Sequence, residues 1–539
     1  MHFKLSYYQL QLMQYVISFL PIVLLFVLML KFRLSGYLSA LVTLAVTILL
    51  GLFVAPRLEI IPQAYELSPI YGLIGWSVVE GVLKAIFPIF LIILMAIFSY
   101  NILVQSKQIE CIKAQFISLT DDRGILVLLM VWGFGGLLEG MAGFGTAVAI
   151  PAAILIGLGF KPFFSAVVAL LGNTVATGFA AVGVPVTTLC NEAVAGGNAS
   201  LSMIKEVSGF TVMQLSPLFF FIPFVILMLT DRKAWKKNVL LTLWVGTVSL
   251  LTQWACAVYL GAETPAIIGS IAAIVALVIA AKFTSGKAAS SNNKHSNISF
   301  KAAIKSWSIY ITILVLILIS GSICPPISNF LRTHLVSQIS IPVVDTVFKF
   351  GWISNAAFII FVGSVIGGLI QGVGLGRLML ILCQTMMSLK TTAITIICLI
   401  SLASVMNYSG MINTMAVGIV ALTGKFYPIF APLIGAIGTF VTGSDTSSNI
   451  LFAKLQVNVA HNLGFVGQNS YMGITGNETN WLLAANTTGA TGGKMLSPQS
   501  IAIATAACDM EGSDDKILRA VIPYALIYVL IGGIIVYFG

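Results

Sequence analysis

Long apolar runs, broken by short polar stretches, dominate the 539-residue chain. A helix needs about 20 apolar residues to cross a bilayer. Runs that meet or approach this length lie at 12–30, 35–54, 85–104, 124–138, 162–182, 211–229, 239–259, 264–281, 306–323, 355–370, 391–409 and 520–538. Shorter or interrupted runs at 140–160, 411–424, 428–442 and 480–506 read as half-helices or re-entrant hairpins. The pattern predicts an all-α polytopic membrane protein with roughly 12–14 crossings, some of them broken. The first run, Leu12 to Leu30, exceeds a signal-peptide core and has its cations, Lys31 and Arg33, after it rather than before it. It reads as the first membrane helix.

Basic residues set the orientation. Lys31 and Arg33, then Lys107, Lys113 and Arg123, then Arg232 to Lys237, then Lys282 to Lys305 fall in loops an even number of crossings apart. All four loops are expected in the cytoplasm, with the N-terminus outside. The polar, Ser/Asn-rich segment 284–304 reads as a cytoplasmic linker between an N-terminal half, 1–283, and a C-terminal half, 305–539.

The halves carry related motifs, at 133–185 and 435–498. In "LLGNTVATGFAAVGVP" and "LLAANTTGATGGKMLSP" an Asn-Thr pair precedes a proline by the same step, 185 − 173 = 12 and 498 − 486 = 12. Upstream of each lies a small, helix-breaking element, "GFGGLLEGMAGFGT" and "GAIGTFVTGSDTSSN". Matched interruptions in two halves of a membrane chain point to a transporter site at mid-membrane. Whether the repeats are parallel or inverted is open at this level.

Hydrophobic residues make up 58% of the chain and charged ones 9%, against about 25% charged in soluble domains. Lipid is therefore the solvent for most of the surface. The formal charge of +10 sits in the loops, where membrane orientation accounts for it without nucleic acid. The seven cysteines are scattered with no CxxC pair, and the four histidines form no helical-spacing pair. No metal site and no cofactor motif is expected. "GVGLGR" at 372–377 follows no strand of a βαβ unit and is not a nucleotide motif.

Charge inside the apolar segments is the informative exception. Glu139 is the only charged residue between Arg123 and Lys161, and Asp445 the only one between Lys425 and Lys454. An acidic group at bilayer depth costs about 3 kcal/mol on insertion scales. Burial favours the neutral form of a carboxyl group in general, so both are proton-coupling candidates, against the plainer reading of a helix-end cap. Gly140, Gly143, Gly145 and Thr146 let the backbone leave helical geometry beside Glu139, while Ser444, Thr446, Ser447 and Asn449 surround Asp445 with helix-capping types. Helix N-termini opening at such breaks bind anions. With the paired Asn173–Thr174 and Asn486–Thr487 they form the substrate-binding candidates. Close helix packing explains Gly133, Gly135 and Gly136 better. Lys494 is expected to meet a substrate carboxylate, or Asp445 when the site is empty. Glu80 and Lys84, four apart, read as a structural pair, and Asn407 and Tyr408 as pathway residues.

These motifs resemble the bacterial lactate permease family. The carrying residues are "FGGLLEGMAGFGTAVAIPAAILIGLGF" (134–160), "MNYSGM" (406–411), "GSDTSSNILFAKLQ" (443–456), "AANTTGATGGKMLSPQSIAIA" (484–504) and "SLTDDR" (118–123), from about residue 70 onward in matching order. The resemblance implies an inner-membrane, inverted-repeat symporter of protons with L-lactate, D-lactate and glycolate. Met141, Ala147, Gly172 and Val175 depart from the family pattern. At this level they border the expected pocket and bear on substrate preference. The other readings are a different carboxylate, sodium coupling through Ser444, Thr446 and Asn449, an anion channel, or an embedded hydrolase. The last lacks a histidine base in the apolar segments. Partners are thus a small carboxylate, protons and lipid, with the oligomeric state open.

Overall fold

The computed structural model describes residues 7–32, 34–62, 65, 68–117, 120, 122–141, 143, 145–284, 300–320, 324–341, 346–510 and 513–539. Most of the expected linker lies outside the described residues. Among them, ten helices are long and apolar enough to span a membrane, or twelve when two bent pairs count as one span each. Ten falls below the expected 12–14, and twelve reaches its lower end.

The interrupted runs account for the difference. The helical segment Arg123–Met141 does not continue outward. It turns at Gly143 and Gly145, both left-handed, and Thr146–Gly157 runs back beside it. A Cβ on Gly135 would stand 3.3 Å from the Ala147 carbonyl oxygen, so the arms come together closely at Gly135. At the base, the Arg123 guanidinium lies 5.0 Å from the Phe160 ring centroid. This base also carries the Lys237–Asp122 ion pair. The first hairpin therefore enters from the face of the basic loops.

A second hairpin pairs Tyr427–Thr442 with Asp445–Leu463. The Tyr427 hydroxyl donates to Gln456 Oε1 at 2.8 Å near its base, and Ser448 Oγ donates to the Gly435 carbonyl at 2.7 Å near its tip. Leu463 leads into a two-stranded hairpin, Gln468–Tyr471 with Ile474–Asn477. There Asn477 N–H donates to Glu206 Oε1. Glu206 lies near the start of the bent pair Leu201–Gln214 and Leu218–Thr230, whose far end meets the basic Arg232–Lys237 loop. The second hairpin enters from the opposite face, so the two repeats are inverted.

Each hairpin is followed by a broken helix. Pro162–Gly172 and Val175–Ala193 bend by 47°, with a second break where Ala181, Val182 and Gly183 are left-handed. Glu478–Lys494 breaks at Met495–Ser497 before Pro498–Ala507. The repeated Asn-Thr pairs differ in role: Asn173 caps a helix end, whereas Asn486 and Thr487 lie mid-helix. The arm Glu478–Lys494 packs backbone to backbone against Tyr427–Thr442, because Gly489 faces the Pro432 carbonyl with no room for a side chain.

A further strand pair, Val336–Ile341 with Thr346–Gly351, adds to the helical framework. Its Phe350 packs on Phe87, ring centroids 5.0 Å apart, where the long helical segment Ile70–Gln105 is kinked.

Candidate functional site

The tips of the two hairpins meet at a cavity of about 570 Å³, well within the range of small-ligand sites. Two helices begin there, Asp445–Leu463 and Pro498–Ala507, and Gly145, the residue that starts Thr146–Gly157, lines it too. Ser447 and Ser500 N–H are taken up by the Ser444 and Ser497 caps, and the remaining first-turn N–H groups with the positive dipole ends favour an anion. Ser444 caps the second of the hairpin arms, accepting from Ser447 N–H at 3.3 Å. The cavity reaches exposed Ser35 and Gln499. Ser35 follows the basic residue Lys31, so the cavity opens toward the basic face.

Three charged side chains stand in it among the described residues. Lys494 Nζ donates to Glu139 Oε1 at 2.6 Å, with the Glu139 side chain fully buried. Asp445 is 2% exposed, and neither of its carboxylate oxygens has a hydrogen-bond partner among the described residues. Lys494 and Glu139 are its charged neighbours, and the Thr439 hydroxyl is a polar one. The expected Lys494–Asp445 pairing in the empty site is thus replaced by Lys494–Glu139. The helix ends explain the choice. Glu139 lies near the C-terminus of its arm, where the dipole disfavours an anion, whereas Asp445 opens its helix, where the dipole favours one. Lys494, at the C-terminus of its own arm, goes to the carboxylate without that support.

Of the sequence-predicted residues, Glu139, Gly143, Gly145, Ser444, Asp445, Thr446, Ser447 and Lys494 line the cavity. The others do not. Gly140 packs on the backbone of Ile267. Thr146 closes the first tip, its hydroxyl donating to the Gly143 carbonyl at 2.8 Å. Thr174 donates to the Leu171 carbonyl at 2.8 Å, and Asn173 caps the same helix. Asn449, Asn486 and Thr487 are braces: Asn449 Nδ2 donates to the Pro185 carbonyl at 3.0 Å and to Thr487 Oγ1 at 2.9 Å. Asn486 Nδ2 in turn donates to Asn449 Oδ1 at 2.8 Å. Their polar atoms are spent within the protein. Met141 and Ala147 are buried away from the cavity, and so are Gly172 and Val175.

Sequence reasoning missed Thr177, Thr442, Gln499 and Ser500, which line the cavity, and Thr391 and Thr395 from a helix remote in sequence. Thr177 stands one helical turn past the Asn-Thr pair, and Gln499 and Ser500 follow the matched proline, so the repeats held a usable signal. Nothing local marks Thr391 or Thr395.

The L-lactate permease family model matches residues 14–539. The chain is 38% identical over 455 residues to the L-lactate permease of Streptococcus iniae, covering 84% of this chain and 91% of that one. It is 32% identical over 559 residues to the glycolate permease GlcA of Escherichia coli K12, covering 96% and 94%. Among solved structures, the YdaH transporter of Alcanivorax borkumensis aligns with a TM-score of 0.42 at 13% identity, over 83% of this chain and 84% of that one. The family match over residues 14–539 and these relatives place this chain in the L-lactate permease family, and with its apolar spans it is a multi-pass protein of the bacterial inner membrane.

Proposed function

We propose that this chain takes up lactate and related 2-hydroxymonocarboxylates, L-lactate, D-lactate and glycolate, by proton symport. Its relatives carry the names L-lactate permease and glycolate permease. The observation that carries the coupling is Asp445: a buried carboxylate that forms no ion pair among the described residues, beside its neighbour Lys494, which is paired with Glu139.

Charge arithmetic follows from that trio. With all three groups ionised the site holds one net negative charge, from Glu139, Asp445 and Lys494. An uncompensated charge at this depth is costly. One proton on Asp445 makes the site neutral. A substrate anion alone would bring the ionised site to two net negative charges, and a proton bound with it brings it back to one, so the anion needs the proton. Lys494 is the donor for the substrate carboxylate, with the N-terminal N–H groups beside it. The hydroxyls of Ser444, Thr446 and Ser447 suit a 2-hydroxyl group.

The inverted units, 1–283 and 305–539, each contribute one hairpin tip, and turnover exchanges which face the tips open to. Radiolabelled lactate uptake into proteoliposomes under an imposed pH gradient, competed by glycolate, pyruvate and succinate, tests the reading. Accumulation driven by protons and blocked by glycolate supports it. Accumulation that instead follows a sodium gradient at fixed pH replaces the coupling ion, and equilibration without accumulation describes a channel.

A further inference from the structure

A second buried ionic cluster lies away from the site described above. Glu80 and Lys84 form the expected pair, Oε1 to Nζ at 3.0 Å. The pair is not at a surface: Glu80 is 0% and Lys84 6% exposed. Glu192, from the helix Ala180–Ala193, approaches the same ammonium group at 3.9 Å through Oε2, and its Oε1 is buried with no hydrogen-bond partner among the described residues. Lys454 Nζ donates to the Ala193 carbonyl at 2.9 Å. Together with Tyr65 and Asn407 these groups line a cavity of about 370 Å³.

The two cavities share their walls. Glu192 and Pro185 sit on one helix, and Lys454 and Asp445 on another. Nine residues separate Asp445 from Lys454, about 14 Å of helix. Between them stands the polar brace, Asn449 bonded to the Pro185 carbonyl and to Thr487. The second cavity lies beyond that brace. Tyr65 follows the span Gly36–Val54, one crossing from the basic loop at Lys31. This cavity therefore faces the side opposite to the basic loops.

We propose that Glu192 is a second proton-binding site, reached from that opposite side, at which the coupling proton loads. This inference rests on the proton-symport reading. Among the four charges Glu192 is the least compensated anion, since Lys84 is held closer by Glu80 and Lys454 is held by a carbonyl. The groups facing it are Glu80 and Lys84 from Ile70–Lys84, Lys454 from Asp445–Leu463, and the phenols Tyr65 and Tyr408. Glu206, on the packed helix Leu201–Gln214, is already engaged by Asn477 and Asn480. Among the described residues the cluster is neutral with all four charged groups ionised. A proton on Glu192 leaves it with one net positive charge, the state that draws a carboxylate anion inward from this side. Proton and anion then arrive at the brace together.

The test uses the whole chain in proteoliposomes with the variants Glu192→Gln and Glu192→Asp. Lactate exchange at equal pH needs no net proton movement, whereas accumulation under a pH gradient does. Glu192→Gln is expected to keep exchange within about twofold, while accumulation falls about tenfold and its pH profile flattens. Glu192→Asp keeps accumulation with a displaced pH profile. A Glu192→Gln protein with the parent's accumulation and pH profile overturns the proposal, as does parallel loss of exchange and accumulation in a folded protein. Should Glu192→Gln fail to fold, the Glu192→Asp profile decides: displaced supports the site, unchanged overturns it. If the parent protein itself moves no protons with lactate, the symport reading has failed, which is distinct from a coupled parent that ignores Glu192.

Discussion

Lys494 and Glu139 are joined across the cavity at 2.6 Å, although 355 residues separate them in the chain. The bond ties the broken helix of one repeat to the hairpin tip of the other. It also occupies the cation that Asp445 would otherwise use.

Removing the lysine leaves two buried carboxylates without a cation, whereas removing Glu139 frees Lys494 for Asp445. Lys494→Met should therefore destabilise the folded protein by about 3–5 kcal/mol, seen as a lower melting temperature in detergent, and Glu139→Gln by less. The double variant Glu139→Gln/Lys494→Met should recover most of that stability and still fail to take up lactate. Recovery of uptake in the double variant would remove Lys494 from the substrate site.

Asn449 is predicted to act as a brace. Asn449→Ala strands the Asn486 amide and the Pro185 carbonyl, at about 1–3 kcal/mol for each buried group left unpaired. The expected result is a less stable protein with leaky coupling: lactate moves, and the number of protons moved with each lactate falls. A stable variant whose only defect is a raised Michaelis constant for lactate would return Asn449 to the substrate ligands.

Gly489 fixes the spacing of two arms. Its neighbour is the Pro432 carbonyl, which leaves no room for a Cβ. Gly489→Ala should separate Glu478–Lys494 from Tyr427–Thr442 and lower both stability and uptake, whereas Gly374→Ala, with open space around it, should change neither. Equal effects of the two substitutions would contradict this packing.

Met141 is 1% exposed and off the cavity wall. Met141→Ala should therefore leave the ratio of lactate to glycolate uptake unchanged, with a stability loss of about 2–5 kcal/mol for the truncated core side chain. A changed ratio at unchanged stability would restore the sequence-based expectation for this residue.

Hydropathy made the spans legible because lipid imposes length and apolarity on every crossing. It also found the breaks, since Gly143, Gly145 and Gly443 interrupt apolar runs. It read 140–160 as a half-helix or re-entrant hairpin, but it took 124–138 for a crossing, because an entering arm and a crossing helix are equally apolar. Asp445 and Glu139 stood out as isolated charges. The partner of Lys494 did not, since helix-end position rather than proximity in the chain decides it. Asn449 and Asn486 have the same residue types whether they bind substrate or brace helices, and only their bonding partners distinguish the roles. Glu192 carried no local signal at all: its meaning comes from Lys84 and Lys454, which lie 108 and 262 positions away in the chain.

The central claim is that Asp445 carries the coupling proton. Lactate-dependent acidification inside proteoliposomes, followed with a trapped pH dye, measures it directly against Asp445→Asn. The parent protein should acidify the lumen on lactate addition. Asp445→Asn should fold, bind in the same cavity and produce no acidification, with accumulation under a pH gradient abolished. Normal lactate-driven acidification by Asp445→Asn would contradict the account.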